Sequence, residues 1–241
     1  MTQYDSFAKD WEKAATRELR KFTYDYMLQN NIVDLKDKRV LDLACGEGYS
    51  SRFMKGLGAG EVVGVDISNK LIQIAKKSKS VGIKYFVGDL TKYDFCKRGK
   101  FDVVTVVNFL HYLPKKSDFL EFFSKVNGCL NVGGIFYILA PNPETQKGSD
   151  MYGVKQVAES NKEGSKVLVT LSELNGTKFC EFVTYWWKKE TILGGLQKAG
   201  FSYEWLPSLL SPEGISKYGE KFWAEYRKTP IYIMLKATKT G

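Results

Sequence analysis

Apolar residues recur at helical spacing near the start of the chain, at Phe7, Trp11, Ala14, Ala15, Leu19, Phe22 and Tyr26, which predicts an amphipathic N-terminal helix or pair of helices over 7–28. The period then changes. Residues 39–44, 61–67, 83–87, 101–107 and 134–140 are short runs rich in β-branched and aromatic side chains, the pattern of strands covered on both faces. Between them, 49–57, 69–79 with Ser68 as N-cap, and 118–130 with Ser117 as cap read as helices. Strand and helix therefore alternate. That alternation predicts an α/β fold, a doubly wound, Rossmann-like, mostly parallel seven-stranded sheet with its ligand site outside the carboxyl ends of the strands.

After residue 140 the pattern breaks into a loop. Residues 166–174 and 178–187 then form an antiparallel hairpin insertion around Leu174-Asn175-Gly176, an Asn-Gly turn signal. A helix over 190–199, closed by Gly200, leads to strands over 201–206 and 231–238. Without an internal repeat or a Pro/Ser-rich linker, the simplest organisation is one domain over 1–241. Its parts are an N-terminal helical lid (1–35), a ligand-binding core (36–142), an inserted substrate lid with the hairpin (143–189) and a C-terminal completion of the sheet (190–241).

A length of 241 residues is enough to bury a core without disulfide staples, and 44% hydrophobic with 26% charged residues is an ordinary globular mixture, which excludes a disordered tail protein. No apolar run approaches the roughly 18 residues of a membrane span, and the first thirteen residues lack the apolar stretch of a signal peptide, so the expected location is cytoplasmic, with no membrane partner. Cys45, Cys96, Cys129 and Cys180 are scattered without a C-x-x-C pair, which fits reduced core thiols; no metal site is expected. The net charge of +9 admits an acidic partner such as nucleic acid, but the lysines fall in short groups at helix ends and loops, where solvated lysines are usual.

Candidate chemistry begins at the end of the first strand, in Val40-Leu41-Asp42-Leu43-Ala44-Cys45-Gly46-Glu47-Gly48. Gly46 and Gly48 allow a tight turn and close approach of a ligand to the N–H groups opening the next helix. Asp66 follows Gly46 by 20 residues at the end of the second strand, where a carboxylate can accept both hydroxyls of a ribose. The pair indicates a nucleoside ligand. A dinucleotide would place its pyrophosphate at this turn, against Asp42 and Glu47, and Ser51 stands where the third glycine of that fingerprint would be. S-adenosylmethionine (SAM) offers an ammonium group and a sulfonium instead, so the acids attract it.

The successive segments VLDLACGEG, VVGVDIS, Val87-Gly88-Asp89-Leu90 and Phe101-Asp102-Val103-Val104 resemble the ordered motifs of class I SAM-dependent methyltransferases across about residues 36–142. The resemblance implies that the loop from Ala44 to Gly48 cradles the methionine moiety, that Asp66 holds the ribose with Ile67 on the adenine, and that Asp89, beside Leu90, bonds the adenine amino group. Asn108 and Phe109 would lie under the methyl donor, and S-adenosylhomocysteine (SAH) would be the product. Tyr4-Asp5-Ser6 before a helix and the late Phe222-Trp223 are similar to small-molecule, toxoflavin-type N-methyltransferases. That similarity implies that Tyr4 and Arg17 close over the cofactor, with Arg20 as the rival of Arg17.

His111 is the sole histidine and follows the fourth strand, where it serves either as a base or substrate-orienting group or as a structural hydrogen-bonding group. Cys45 reads as filler behind the glycine loop. Trp11, Tyr152 and Trp223 are the aromatic residues expected to wall the acceptor. The resulting expectation is methyl transfer from SAM to a small-molecule acceptor, at a nitrogen of an amine or heteroaromatic compound. The alternatives are an RNA or tRNA methyltransferase, an O-methyltransferase of a small metabolite and a non-catalytic SAM-binding protein.

Overall fold

The computed structural model describes residues 18–32, 34–78 and 80–241, so Tyr4, Trp11 and Arg17 lie outside the described residues. The first described helical segment runs as α1 (Glu18–Arg20), a π-helical stretch (Lys21–Asp25) and α2 (Tyr26–Asn31). Then β1 (Arg39–Leu43), α3 (Tyr49–Gly56), β2 (Glu61–Asp66), α4 (Asn69–Lys77), β3 (Ile83–Val87), β4 (Phe101–Val107), α5 (Lys116–Cys129) and β5 (Leu130–Pro141) alternate as the apolar runs predict. The Ser68 hydroxyl caps α4 by accepting from the Leu71 amide, as its position before the helix implies.

The large sheet has seven strands in the order β10-β11-β5-β4-β1-β2-β3. Strands β1 to β5 are parallel, while β11 (Tyr232–Lys239) runs antiparallel to both β5 and β10 (Phe201–Leu206). The winding direction reverses at β1, whose neighbours are β2 and β4, and that reversal opens a crevice at the carboxyl ends. Both faces of the sheet are covered. Phe119, Phe123 and Val126 of α5 pack on one face with Leu196, and Met27, Leu28 and Met54 pack on the other, which is why β1 and β2 are apolar at nearly every position.

The insertion after β5 is larger than a hairpin. A short helix, α6 (Pro143–Gln146), precedes β6 (Gly148–Met151), β7 (Val154–Ala158), β8 (Lys166–Ser172) and β9 (Lys178–Tyr185), which form a four-stranded antiparallel sheet in that order. The 166–187 hairpin is its second half. The first half reads as loop because β6 is Gly-Ser-Asp-Met and β7 carries lysine and glutamine between its apolar residues.

The chain closes through α7 (Lys189–Lys198), β10, α8 (Pro212–Tyr218), α9 (Glu220–Lys228) and β11. The last two helices correct the expected aromatic wall. Trp223 is fully buried, its indole Nε1 donates to the Gly214 carbonyl at 2.8 Å, and it packs with Phe22, Tyr226 and Ile231. The ring of Tyr152 stacks on it at 5.2 Å, and the Tyr152 hydroxyl donates to the Phe222 carbonyl while accepting from the Tyr226 amide. These rings pin α9 to the turn between β6 and β7 because each also satisfies its polar end inside the cluster. Trp223→Ala should therefore lower stability by about 3–5 kcal/mol. Urea unfolding checks this; an unchanged midpoint would return Trp223 to the list of acceptor-binding candidates.

Candidate functional site

A cavity of about 590 Å³ lies at the carboxyl ends of β1, β2 and β4, between the N-terminal helical segment and the four-stranded sheet. Its floor is the loop after β1, in which three residues adopt left-handed backbone: Ala44 at φ 56°, Gly46 at 54° and Gly48 at 86°. A Cβ on Gly46 would meet only open space, so that residue leaves room beside the chain. A Cβ on Gly48 would overlap the Tyr85 hydroxyl, so Gly48 answers to both conformation and packing. Cys45 packs behind the loop with Ile72 and Tyr85, and burial pushes its thiol well above its ordinary range.

Asp42 does not reach this cavity. It is wholly buried one strand residue before the loop, where its carboxylate accepts from Ser50 (2.7 Å), Ser51 (2.6 Å) and Thr105 (2.9 Å). Burial pushes it up to about 6, with the three hydroxyls pulling the other way. The attraction for an ammonium group expected of Asp42 is thus directed into the protein. Among the described acids, those in the cavity wall are Glu47, Asp66 and Asp89. Asp66 accepts from the Gly46 amide at 2.9 Å and the Ser68 amide at 2.8 Å, which ties β2 to the glycine loop. Asp89 makes an Asx turn with Thr91, and Ile67 and Leu90 line the wall between these two acids.

Arg20 is the described cation in the wall. Its guanidinium lies 4.5 Å from the ring centres of both Tyr24 and Tyr49, and its Nε donates to Asp25 at 3.1 Å. The π-helical stretch follows Arg20 directly and carries Tyr24 into the same wall.

The opposite half of the cavity has no charged side chain among the described residues. Val107 ends β4 and Asn108 and Phe109 follow it; Tyr112 comes from the next turn, Leu171, Val183 and Tyr185 from the four-stranded sheet, and Tyr232 from β11. Asn108 sits at φ 53°, and its side-chain Oδ1 is buried with no hydrogen-bond partner. Tyr24, Tyr49 and Tyr232 had no sequence signal, since each reaches the cavity from an element outside the motifs. Tyr112 enters the wall from the position directly after His111.

That neighbour, His111, turns away. It is buried outside the cavity wall, its ring lies against Tyr112 at 4.3 Å, and its Nδ1 has no partner. Burial drives its pKa down to about 3, so at neutral pH it is an uncharged core side chain. Of the expected site residues, the cavity wall gathers Ala44, Gly46, Asp66, Ile67, Asp89, Leu90, Asn108 and Phe109; Asp42, Gly48, His111, Tyr152 and Trp223 stand outside it.

The methyltransferase domain family matches residues 40–134, the segment from β1 into β5 that carries this loop and both acids. A protein of Methanocaldococcus jannaschii named as a protein N5-glutamine methyltransferase is 30% identical over 155 residues, covering 63% of this chain and 71% of the relative. The chain is a class I SAM-dependent methyltransferase. A ubiquinone biosynthesis O-methyltransferase of Thiobacillus denitrificans is 34% identical over 83 residues, but the match spans 33% of this chain and 35% of that protein. A solved SAM-dependent methyltransferase from Mesorhizobium loti, 22% identical, superposes with a TM-score of 0.65 over 88% of this chain and 95% of its own, a likeness of fold. SAM is the methyl donor of this methyltransferase, and the cavity suits it: open space beside Gly46 and acids at the ends of β2 and β3. No described helix is long and apolar enough to cross a membrane.

His111 and Asp42 give the methyltransferase opposing pH dependences. Between about pH 6.5 and 3 the unfolded chain protonates His111 and the folded protein does not, so this group costs stability as pH falls. Asp42, raised to about 6, takes up its proton first in the folded state and adds stability as pH falls from 6 towards 3.8. His111→Phe should remove the first effect and keep the second. Relative to wild type, the variant should gain about 1.4 kcal/mol per pH unit below 6.5. Urea midpoints at pH 7, 6 and 5 measure this, and parallel profiles for the two proteins would refute it.

Proposed function

We propose that this methyltransferase transfers the SAM methyl group to a nitrogen of a small, flat, uncharged acceptor, an amine or heteroaromatic compound. The observation that carries the reading is the acceptor half of the wall: aromatic and aliphatic side chains, no charge among the described residues, and one buried amide oxygen, Asn108 Oδ1, without a partner. A buried acceptor of this kind costs stability until a donor meets it. Once the Asn108 amide turns its Oδ1 to the cavity, an N–H of a neutral acceptor supplies that donor and leaves the nitrogen lone pair free to point at the methyl group. Phenolic oxygen needs its proton removed to become a strong nucleophile, and an amide oxygen is no base; His111, the natural base, is turned into the core. The relatives differ by name in the atom they methylate, and the wall chemistry supports nitrogen in this reading. Nucleic acid is disfavoured because Arg20 is the one cation among the described wall residues and this reading assigns it to the cofactor carboxylate.

When bound, SAM supplies a methyl group made electrophilic by its sulfonium. The chain's own work is to bind, align and keep out water. In this reading Asp66 accepts the ribose hydroxyls, Asp89 and Leu90 take the adenine edge and Ile67 its face. The left-handed loop from Ala44 to Gly48 lets the methionine portion approach the backbone. Arg20, held flat between Tyr24 and Tyr49, presents its remaining N–H groups to the carboxylate. Asn108 orients the acceptor nitrogen, and Tyr112 and Tyr185 close the hydrophobic side.

Asp66→Ala should weaken SAH binding by about 1–3 kcal/mol in calorimetry with the fold intact, and an unchanged affinity would remove Asp66 from the site. Asn108→Gly keeps the left-handed backbone while deleting Oδ1. It should lower acceptor kcat/KM roughly tenfold or more while leaving SAH affinity within about twofold. Transfer of labelled methyl to a panel of heteroaromatic amines and phenols tests the reading as a whole: product on nitrogen supports it, and product confined to phenolic oxygen overturns it.

A further inference from the structure

The four-stranded sheet packs one face inward through Val154, Val167, Val169, Leu171 and Phe182 and turns the other outward. On the outward face Val157 of β7, Leu168 of β8 and Val183 of β9 are direct cross-strand partners, exposed by 49%, 42% and 40%. They form a single apolar row about 10 Å long, two strand spacings from end to end. The neighbouring rows on this face are polar: Lys155, Thr170 and Glu181 on one side, Lys166 with Tyr185 on the other. Val183 belongs both to this row and to the cavity wall, as Tyr185 on the same edge strand belongs to the wall. The row therefore starts at the uncharged half of the cavity and leads away from it across β8 to β7.

We propose that the acceptor bears an aliphatic chain that lies along Val183, Leu168 and Val157 while its reactive ring occupies the cavity, an inference that rests on the nitrogen-acceptor reading. Continuity through Val183 favours this occupant. A second copy of the chain is the other natural cover for an apolar sheet face, but three aliphatic side chains between polar rows fall well short of the roughly 800 Å² per partner that a stable interface buries. A hydrocarbon chain needs a path only one side chain wide. Half-burial on an open face gives such a chain about half the gain of full burial for every methylene, which corresponds to about a twofold gain in affinity.

The test titrates 4-methyl-, 4-butyl- and 4-octylaniline into the full-length protein saturated with SAH, followed by calorimetry. Affinity should rise about twofold per methylene, close to a hundredfold from the methyl to the octyl compound. Leu168→Asp and Val157→Asp, both outside the cavity wall, should bind SAH and 4-methylaniline like wild type and lose most of the dependence on chain length. A flat series in which 4-methylaniline still binds overturns this proposal and leaves the nitrogen reading standing. Unchanged length dependence in Leu168→Asp also overturns it. A dimer in light scattering that Leu168→Asp dissociates assigns the row to a second copy and overturns it too. If SAH binds but no aniline does, the nitrogen reading falls and this extension falls with it.

Discussion

A buried carboxylate sets the position of everything that faces the ligand. Asp42 stands opposite Thr105 in the register of β1 and β4, and its oxygens accept from that hydroxyl and from Ser50 and Ser51 in the first turns of α3. Hydrogen bonds to a charged group contribute roughly 1.5–3 kcal/mol each, and leaving one such buried acceptor unmet costs a comparable amount. Three bonds on one group hold β1, β4 and α3 at fixed separation. The glycine loop spans the gap between β1 and α3, so its three left-handed residues are held at both ends by the same side chain. Asp66 then ties the loop to β2 through the Gly46 amide. The crevice at the reversal of strand order is thereby braced on both sides of β1.

On this frame the cavity divides by charge. Glu47, Asp66 and Asp89 share one half of the wall with Arg20, where the proposed reading puts the cofactor, and the other half is aromatic and aliphatic. The division follows from topology. Charged residues can stand at the carboxyl ends of β2 and β3 because they meet loops and helix starts there, whereas the described wall residues after β4 and on β9 are uncharged. Arg20 avoids the cost of burial by stacking between two tyrosine rings and pairing with Asp25, so it can stay flat and ready for a bidentate partner.

The sequence carried the fold almost entirely, because buried central parallel strands read as nearly unbroken apolar runs and β1, β2 and β4 are such runs. It carried the residues that line the glycine-loop half of the cavity for a related reason: tight backbone turns demand glycine, and a carboxylate twenty residues on marks the next strand end. The four-stranded sheet was half lost, since β6 and β7 are short and polar and take their stability from pairing with β8 rather than from their own composition. The acceptor half was legible least. Tyr232 and Tyr185 reach it only through strand pairing in the folded chain, and nothing local distinguishes them from Tyr152 or Tyr226, which are core.

The two readings that failed on chemistry share a cause. A histidine after β4 and a tryptophan near the end of the chain carry functional weight only by residue type, and burial decides what that type does. In the tight turn Leu110–Tyr112, Tyr112 lines the cavity while His111, its ring against that of Tyr112, lies buried behind the wall. Trp223 lies on a helix whose buried side must pack against Phe22 and Tyr152, and its indole N–H finds its acceptor within that packing at Gly214. An imidazole without a charged partner, in a place where the charged form is strongly disfavoured, is chemically closer to a phenylalanine than to a base. In the proposed reading the transfer step is left to alignment by groups that keep their protons, which an enzyme acting on an already neutral nitrogen can accept and one acting on an unactivated hydroxyl cannot.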